Sequence, residues 1–148
     1  EQLQNNEQKL VPLITFAHNA LLRHREWLKS NEQRAQERLR WERFFEDYDV
    51  LLTPVTITSA FVHDQSSPQP LRKLHVNGCE RAYDDLYSWG SLATSAQLPA
   101  TVVPVGRTPA GLPVGMQVIG PYLEDRTTID FAARLEELMG GFQRPPGY

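Results

Sequence analysis

Two runs decide how this chain folds: Leu98-Pro99-Ala100-Thr101-Val102-Val103-Pro104-Val105-Gly106, and after it Gly111-Leu112-Pro113-Val114-Gly115-Met116-Gln117-Val118-Ile119-Gly120. Residues 101–105 and 114–119 are rich in β-branched and apolar side chains, and Gly and Pro bound both blocks, the pattern of two strands. The connection over 106–113 is short and carries turn residues, so an antiparallel hairpin is expected. Pro104 has no amide hydrogen and belongs at a strand end, a bulge or an edge. Gly115 offers a position in its strand where a neighbour can approach closely, and Gly106 and Gly111 permit turn conformations that cost other residues more.

Working outward, Asp49-Val50-Leu51-Leu52-Thr53-Pro54 is a short continuous apolar run ended by proline, which reads as a strand buried on both faces. Before it, Leu10, Leu13, Ile14, Ala17, Leu21 and Leu28 repeat at helical spacing and predict a helix over about 10–29, with Pro12 in its first turn. Ser30 or Asn31 is expected to cap a second helix, whose apolar contacts are Ala35, Leu39, Trp41, Phe44, Phe45 and Tyr48. Residues 56–77 show little periodicity and predict a long surface loop. Residues 80–98 predict a helix through Tyr83, Leu86, Tyr87, Leu92 and Ala96, weakened by Gly90. Asp125 is expected to cap a last helix that buries Ile129, Ala132, Ala133, Leu135, Leu138 and Met139 and stops at Gly140-Gly141. Four helices and a short mixed sheet of three strands give an α/β class, with α+β as the neighbouring possibility. Residues 1–148 are expected to form a single segment: a helical lead-in over 1–48, then sheet, long loop and helices over 49–148.

Composition bounds the partners. With 148 residues, 41% of them hydrophobic and 22% charged, the chain is long enough for one modest core. The net charge of −3 comes from interspersed acids and bases with no basic stripe, so nucleic acid is not an expected partner. The charge run over 32–43 mixes signs as a solvated helix face does. Residues 1–9 are polar, and no run of 18 apolar residues occurs, so neither a signal peptide nor a membrane span is expected. A single cysteine, Cys79, excludes an internal disulfide and fits a reducing compartment, and the cytoplasm is the expected location.

Three pieces in order carry a resemblance: Phe44-Phe45-Glu46-Asp47-Tyr48-Asp49-Val50-Leu51-Leu52-Thr53-Pro54, and the two Gly- and Pro-bearing runs quoted first, the second followed by Glu124-Asp125 and the final helix. Together, over about residues 18–140, they resemble the C-terminal portion of the amidase signature family. One departure is local: the family commonly has glycine just before the Leu-Pro-Ala element, where this chain has Gln97.

The resemblance implies a partial amidase-signature fold. It also implies, for the complete enzyme, hydrolysis of a carboxylic amide to acid plus ammonia or amine through a serine acyl-enzyme, with no cofactor. Such chemistry needs a nucleophilic serine, a bridging serine, a lysine base and amide donors for the oxyanion. The family's glycine- and serine-rich signature is absent here, so no catalytic residue is assigned, and this chain alone is expected to be inactive. The resemblance brings the segment carrying Tyr87 and Trp89 near the acyl-binding side, where aromatic rings can wall an amide's apolar substituent. Burial in the core is the commoner fate of such rings. The expected partners are a small-molecule amide in the complete enzyme and either a missing N-terminal catalytic segment or a second copy. The rival reading is a noncatalytic oligomerising or assembly module that complements a separate catalytic portion.

The other reactive residues make poor sites. Ser66-Ser67 is followed by Pro68 with no glycine nearby, and Lys73 lies in a polar setting unlike that of a lysine base. His75 and Cys79 are too few to close a zinc site, and no metal is assigned; they would otherwise suggest a thiol and its base. Asp84 and Asp85 are adjacent, so on a helix they diverge instead of forming a carboxylate pair.

Overall fold

The computed structural model describes residue 11 and residues 14–66 and 69–144. The expected contributions of Leu10, Pro12 and Leu13 to the first helix, and of Ser67 and Pro68 to the loop, lie outside the described residues. The described residues gather into two compact units. One comprises the residues up to Gln33 with Val62–Asp85, the other Arg34–Phe61 with the residues from Leu86 onward.

The first helix, α1, covers residues 14–20, and α2 covers His24–Phe44. The break falls at residues 21–23 instead of at Ser30-Asn31, which lie inside α2. Exposed Ser and Asn lower helix propensity by only a few tenths of a kcal/mol, too little to end a helix that has a better start elsewhere. That start is at Arg23, whose backbone N–H donates to Glu26 Oε2 at 3.0 Å, the carboxylate half of a capping box. The charge run over 32–43 is the solvated face expected, with Arg40 paired to Glu37. At its end Trp41, Phe44, Phe45 and Tyr48 form a run of stacked and edge-on rings with centroids 4.8–5.9 Å apart.

The chain then enters β1 (Leu51–Pro54). The loop expected over 56–77 and the helix expected from residue 80 give way to a second hairpin, β2 (Lys73–Val76) and β3 (Cys79–Ala82). Its two-residue turn is Asn77-Gly78, with φ of 52° and 77°. Positive φ at both central residues is what a type I′ turn requires, and Asn-Gly supplies it most easily. A 3₁₀ turn over Tyr83–Tyr87 follows, and the helix is reduced to α3 (Gly90–Ala96). Gly90 begins that helix instead of interrupting a longer one.

The hairpin expected from the opening runs is present as β4 (Ala100–Arg107) and β5 (Pro113–Ile119), closed by Thr108 N–H to the Leu112 carbonyl at 2.8 Å. The register slips between Pro104 and Gly106, so Pro104 sits at a bulge on an edge strand, where its missing N–H leaves no ladder bond unmade. The strand order is β1-β5-β4. The sheet expected to be mixed contains only antiparallel pairs, because β1 and β4, which run the same way, are separated by β5.

Register sorts the sheet's faces. Leu51, Ile119, Thr53 and Gln117 share one face, and Val118, Val103, Thr101 and Leu52 share the other. Against the first pack Ala93, Ala96 and Leu98, with Trp41, Phe45, Leu92 and Tyr122 around them. Against the second packs α4 (Asp125–Met139), through Ala132, Phe131 and Leu135. The result is a helix–sheet–helix sandwich, the α/β arrangement expected. β1 does not reach burial on both faces: Leu52 is 42% exposed at the sheet edge, beyond the cover that α4 gives to the central strand.

The buried stripe of α4 is also displaced from the one expected. Thr128, Phe131, Ala132 and Leu135 face inward, whereas Ile129, Ala133, Leu138 and Met139 are exposed. Thr128 enters the core because its hydroxyl donates to the Asp125 carbonyl at 2.9 Å and accepts from Thr101 Oγ1 at 3.0 Å, which removes the penalty of burying it. Asp125 is the first helical residue and Glu124 occupies the cap. Gly140 ends the helix at φ 86°, as expected.

Gln97 takes a left-handed conformation, which glycine adopts at less cost, with φ 59° and ψ 35°. The Leu98 N–H reaches the Ala93 carbonyl at 2.9 Å and the Gln97 N–H reaches that of Thr94 at 3.3 Å, a Schellman closure of α3. The Gln97 side chain accepts from Arg38 at 3.0 Å, and that guanidinium lies 4.2 Å from the centre of the Tyr122 ring. Left-handed backbone costs an L-residue about 1–2 kcal/mol, against about 0.5–1 kcal/mol of extra chain entropy for glycine. Gln97→Gly should therefore raise stability by about 0.5 kcal/mol and Gln97→Val should lower it by more than that, as read by urea denaturation.

Candidate active-site wall

Tyr87 and Trp89 lie on the five residues before α3, and neither belongs to the buried clusters: Tyr87 is 58% and Trp89 36% exposed. The segment is fastened at both ends. Thr56 Oγ1 donates to the Leu86 carbonyl at 3.2 Å, and Gln117 Nε2 donates to the Trp89 carbonyl at 3.4 Å. Gln117 is 5% exposed in the middle of the sheet, and the same Nε2 donates to Thr53 Oγ1 at 3.0 Å. Both hydrogens of its amide are thereby used. The Trp89 carbonyl can only accept, so the amide must turn its NH₂ toward it. Sequence reasoning used Gln117 only as part of a strand; an amide at a position that alternation places on the core-facing side of a strand was the available signal.

The alternatives set aside on sequence are kept apart by the geometry. His75 pairs with Glu80 across the β2–β3 ladder and Cys79 with Val76, so His75 and Cys79 point to opposite faces of the hairpin and cannot act as base and nucleophile. Cys79 is an exposed free thiol. Lys73 Nζ lies 3.5 Å from Glu80 Oε1. Ser67 lies outside the described residues, while Ser66 donates its N–H to Asp64 at 2.8 Å and its carbonyl accepts from Arg72 Nε at 2.7 Å. Asp85 accepts from Arg81 Nε at 2.8 Å, and its neighbour Asp84 shares the same 3₁₀ turn. Among the described residues no three His, Cys, Asp or Glu side chains cluster as a metal site would require, and no helix is long and apolar enough to cross a membrane.

The Ser66 hydroxyl and N–H hold the Asp64 carboxyl below its ordinary pKa of 3.8, with Arg72 adding to the effect. A depressed carboxyl stabilises the turn fully above 3.8 and loses that contribution as pH falls through the lower folded value. The Ser66 amide resonance should accordingly titrate with a midpoint below 3.8 in an NMR pH series.

Comparison with known proteins covers nearly all of this architecture. The amidase family model matches residues 4–129. The A subunit of the glutamyl-tRNA(Gln) amidotransferase of Salinibacter ruber is 33% identical over 132 residues, 88% of this chain and 24% of that protein. Its counterpart from Zymomonas mobilis is 34% identical over 119 residues, 80% of this chain and 22% of that protein. The solved A subunit from Thermotoga maritima aligns with TM-score 0.63 at 25% identity, over 96% of this chain and 30% of the other. A crystal structure of an amidase shares the fold with TM-score 0.65 at 21% identity, over 84% of this chain and 27% of the other. The chain thus spans about a quarter of the length of the curated relatives it matches. With the family model matched from residue 4 through the first turn of α4, the chain belongs to the amidase family.

Proposed function

We propose that this chain supplies scaffold and part of the substrate wall to an amide hydrolase, as one C-terminal segment of it. The family match over residues 4–129 carries the reading. In the assembled enzyme a serine would attack the carboxylic amide, ammonia or an amine would leave, and water would release the acid. The serine, its lysine base and the oxyanion donors would come from outside this chain, whose exposed Tyr87 and Trp89 would face the substrate's apolar group. The substrate is a small-molecule amide, the partner is the catalytic portion, and the cytoplasm is the proposed location, in keeping with an exposed unpaired Cys79.

The chain alone should show no turnover of acetamide or phenylacetamide above the buffer blank in an ammonia-release assay. Turnover that disappears in Ser66→Ala, Ser67→Ala or Cys79→Ala would overturn this assignment.

The second reading, an assembly module without a catalytic role, is favoured by β1. Among the described residues that strand pairs with β5 along one side only and leaves Leu52 exposed, and an open strand edge recruits a partner. Light scattering separates a stable monomer from self-association, and only the second supports this reading.

A further inference from the structure

We propose that Gln117 is a positioning residue that sets where the Trp89 ring stands, an inference resting on the reading of Tyr87 and Trp89 as a substrate wall. Trp89 sits in a turn just before α3, and its ring is not packed into either buried cluster. Two hydrogen bonds to its carbonyl fix where its backbone, and with it the base of the ring, stands. The Trp89 carbonyl accepts from the Leu92 N–H at 3.3 Å, inside the first turn of α3, and from Gln117 Nε2 at 3.4 Å. The helix bond ties Trp89 only to its own short helix. The Gln117 bond ties it to β5, whose place is fixed by ladders on both sides, to β1 and to β4.

Gln117 is itself held by three constraints. Its backbone lies in the central strand, its side chain is buried, and its second amide hydrogen is directed to Thr53 Oγ1 on the neighbouring strand, where Thr53 and Gln117 are register partners. A buried amide with both donors committed has little freedom to reorient, so it passes the rigidity of the sheet to the loop. At the other end of the segment Thr56, two residues beyond β1, holds Leu86. Tyr87, Ser88 and Trp89 are thus suspended between two anchors that both derive from the sheet. Of these anchors only Gln117 bears directly on Trp89, and Thr53 acts through it.

The test separates positioning from stability. The chain is labelled with 5-fluorotryptophan, which gives one ¹⁹F resonance each for Trp27, Trp41 and Trp89, the last identified by its loss in Trp89→Phe. Gln117→Met keeps the side chain's length and removes both donors. It should shift and narrow the Trp89 resonance while those of Trp27 and Trp41 stay in place. Thr53→Val also leaves a polar group unpaired and lowers stability, but it spares the bond to Trp89 and should move that resonance much less than Gln117→Met does. If the methionine variant loses its folded circular dichroism, Gln117→Asn, which is too short to keep both bonds, replaces it. An unchanged Trp89 resonance in the Gln117 variant, or an equal change in Thr53→Val, overturns the inference.

In the assembled enzyme, Gln117→Met should raise KM for phenylacetamide about tenfold with kcat nearly unchanged, and leave KM for acetamide within twofold. Trp89→Ala should do the same and add little in the Gln117→Met background. If the resonance responds as expected but Trp89→Ala leaves KM for phenylacetamide unchanged, Gln117 still positions Trp89 and the substrate-wall reading fails.

Discussion

Ile119→Ala should destabilise the unit containing the three-stranded sheet by about 2–5 kcal/mol, the range for removing a large aliphatic side chain from a core. Ile119 has no exposed surface. It is the last residue of the central strand and pairs with Leu51 on one side and Ala100 on the other. Ala93, Ala96 and Leu98 close over it. Two of those neighbours are alanines, which have no side-chain length with which to refill a cavity, so the loss should fall in the upper half of the range. Ile119→Val should cost about 0.5–1.5 kcal/mol. Leu138→Ala, at an 83% exposed position, should stay within about 0.5 kcal/mol of the parent. Urea denaturation checks the three together. A cost for Ile119→Ala no larger than that for Leu138→Ala would contradict the packing described.

Gly120→Ala should cost about 1–3 kcal/mol, through crowding instead of cavity formation. A Cβ built on Gly120 would stand 2.5 Å from Thr128 Cγ2, far inside van der Waals contact. A flexible neighbour would turn aside, but Thr128 is 1% exposed and its hydroxyl is bonded to both Thr101 and the Asp125 carbonyl. Rotating it away would break those bonds in the core. The Gly120 N–H also donates to the Pro99 carbonyl at 3.1 Å, which restrains the backbone from retreating. Thr128→Ser deletes the offending methyl and keeps the hydroxyl, so Gly120→Ala should cost much less in that background. The double-mutant cycle should return a coupling of about 1 kcal/mol or more. Additive losses would mean that Thr128 is not what requires glycine at position 120.

Where the expectations failed, the reason is physical in each case. Cap preference alone points to a break between α1 and α2 at Ser30-Asn31, yet the Glu26 carboxylate reaching back to the Arg23 N–H makes the stronger terminus. The β2–β3 hairpin is signalled by Asn77-Gly78, whose turn prevails over the helical spacing of apolar residues across 80–98. The stripe of α4 turns away from Ile129, Leu138 and Met139 because Thr128 takes an inward position, its hydroxyl bonds making it as buried as Val118. Tyr87 and Trp89 are legible in sequence as candidates for a wall, but the amide that fastens Trp89 is not, since Gln117 is 28 residues away and only the folded strand brings it there.

What the sequence alone determined is the local grammar: the β4–β5 hairpin, the bulge and edge setting of Pro104, the stop at Gly140, and through the three Gly- and Pro-bearing elements the amidase family itself. These follow from torsional limits and hydrogen-bonding capacity that each residue carries wherever it is placed. Tertiary structure alone decided which side of α4 is buried, that Gln97 takes a left-handed conformation beside Arg38, and that Thr53 and Gln117 meet beneath Trp89. Those outcomes depend on partners distant in the chain, whose approach is fixed only when the strands find their register and the helices close over the sheet.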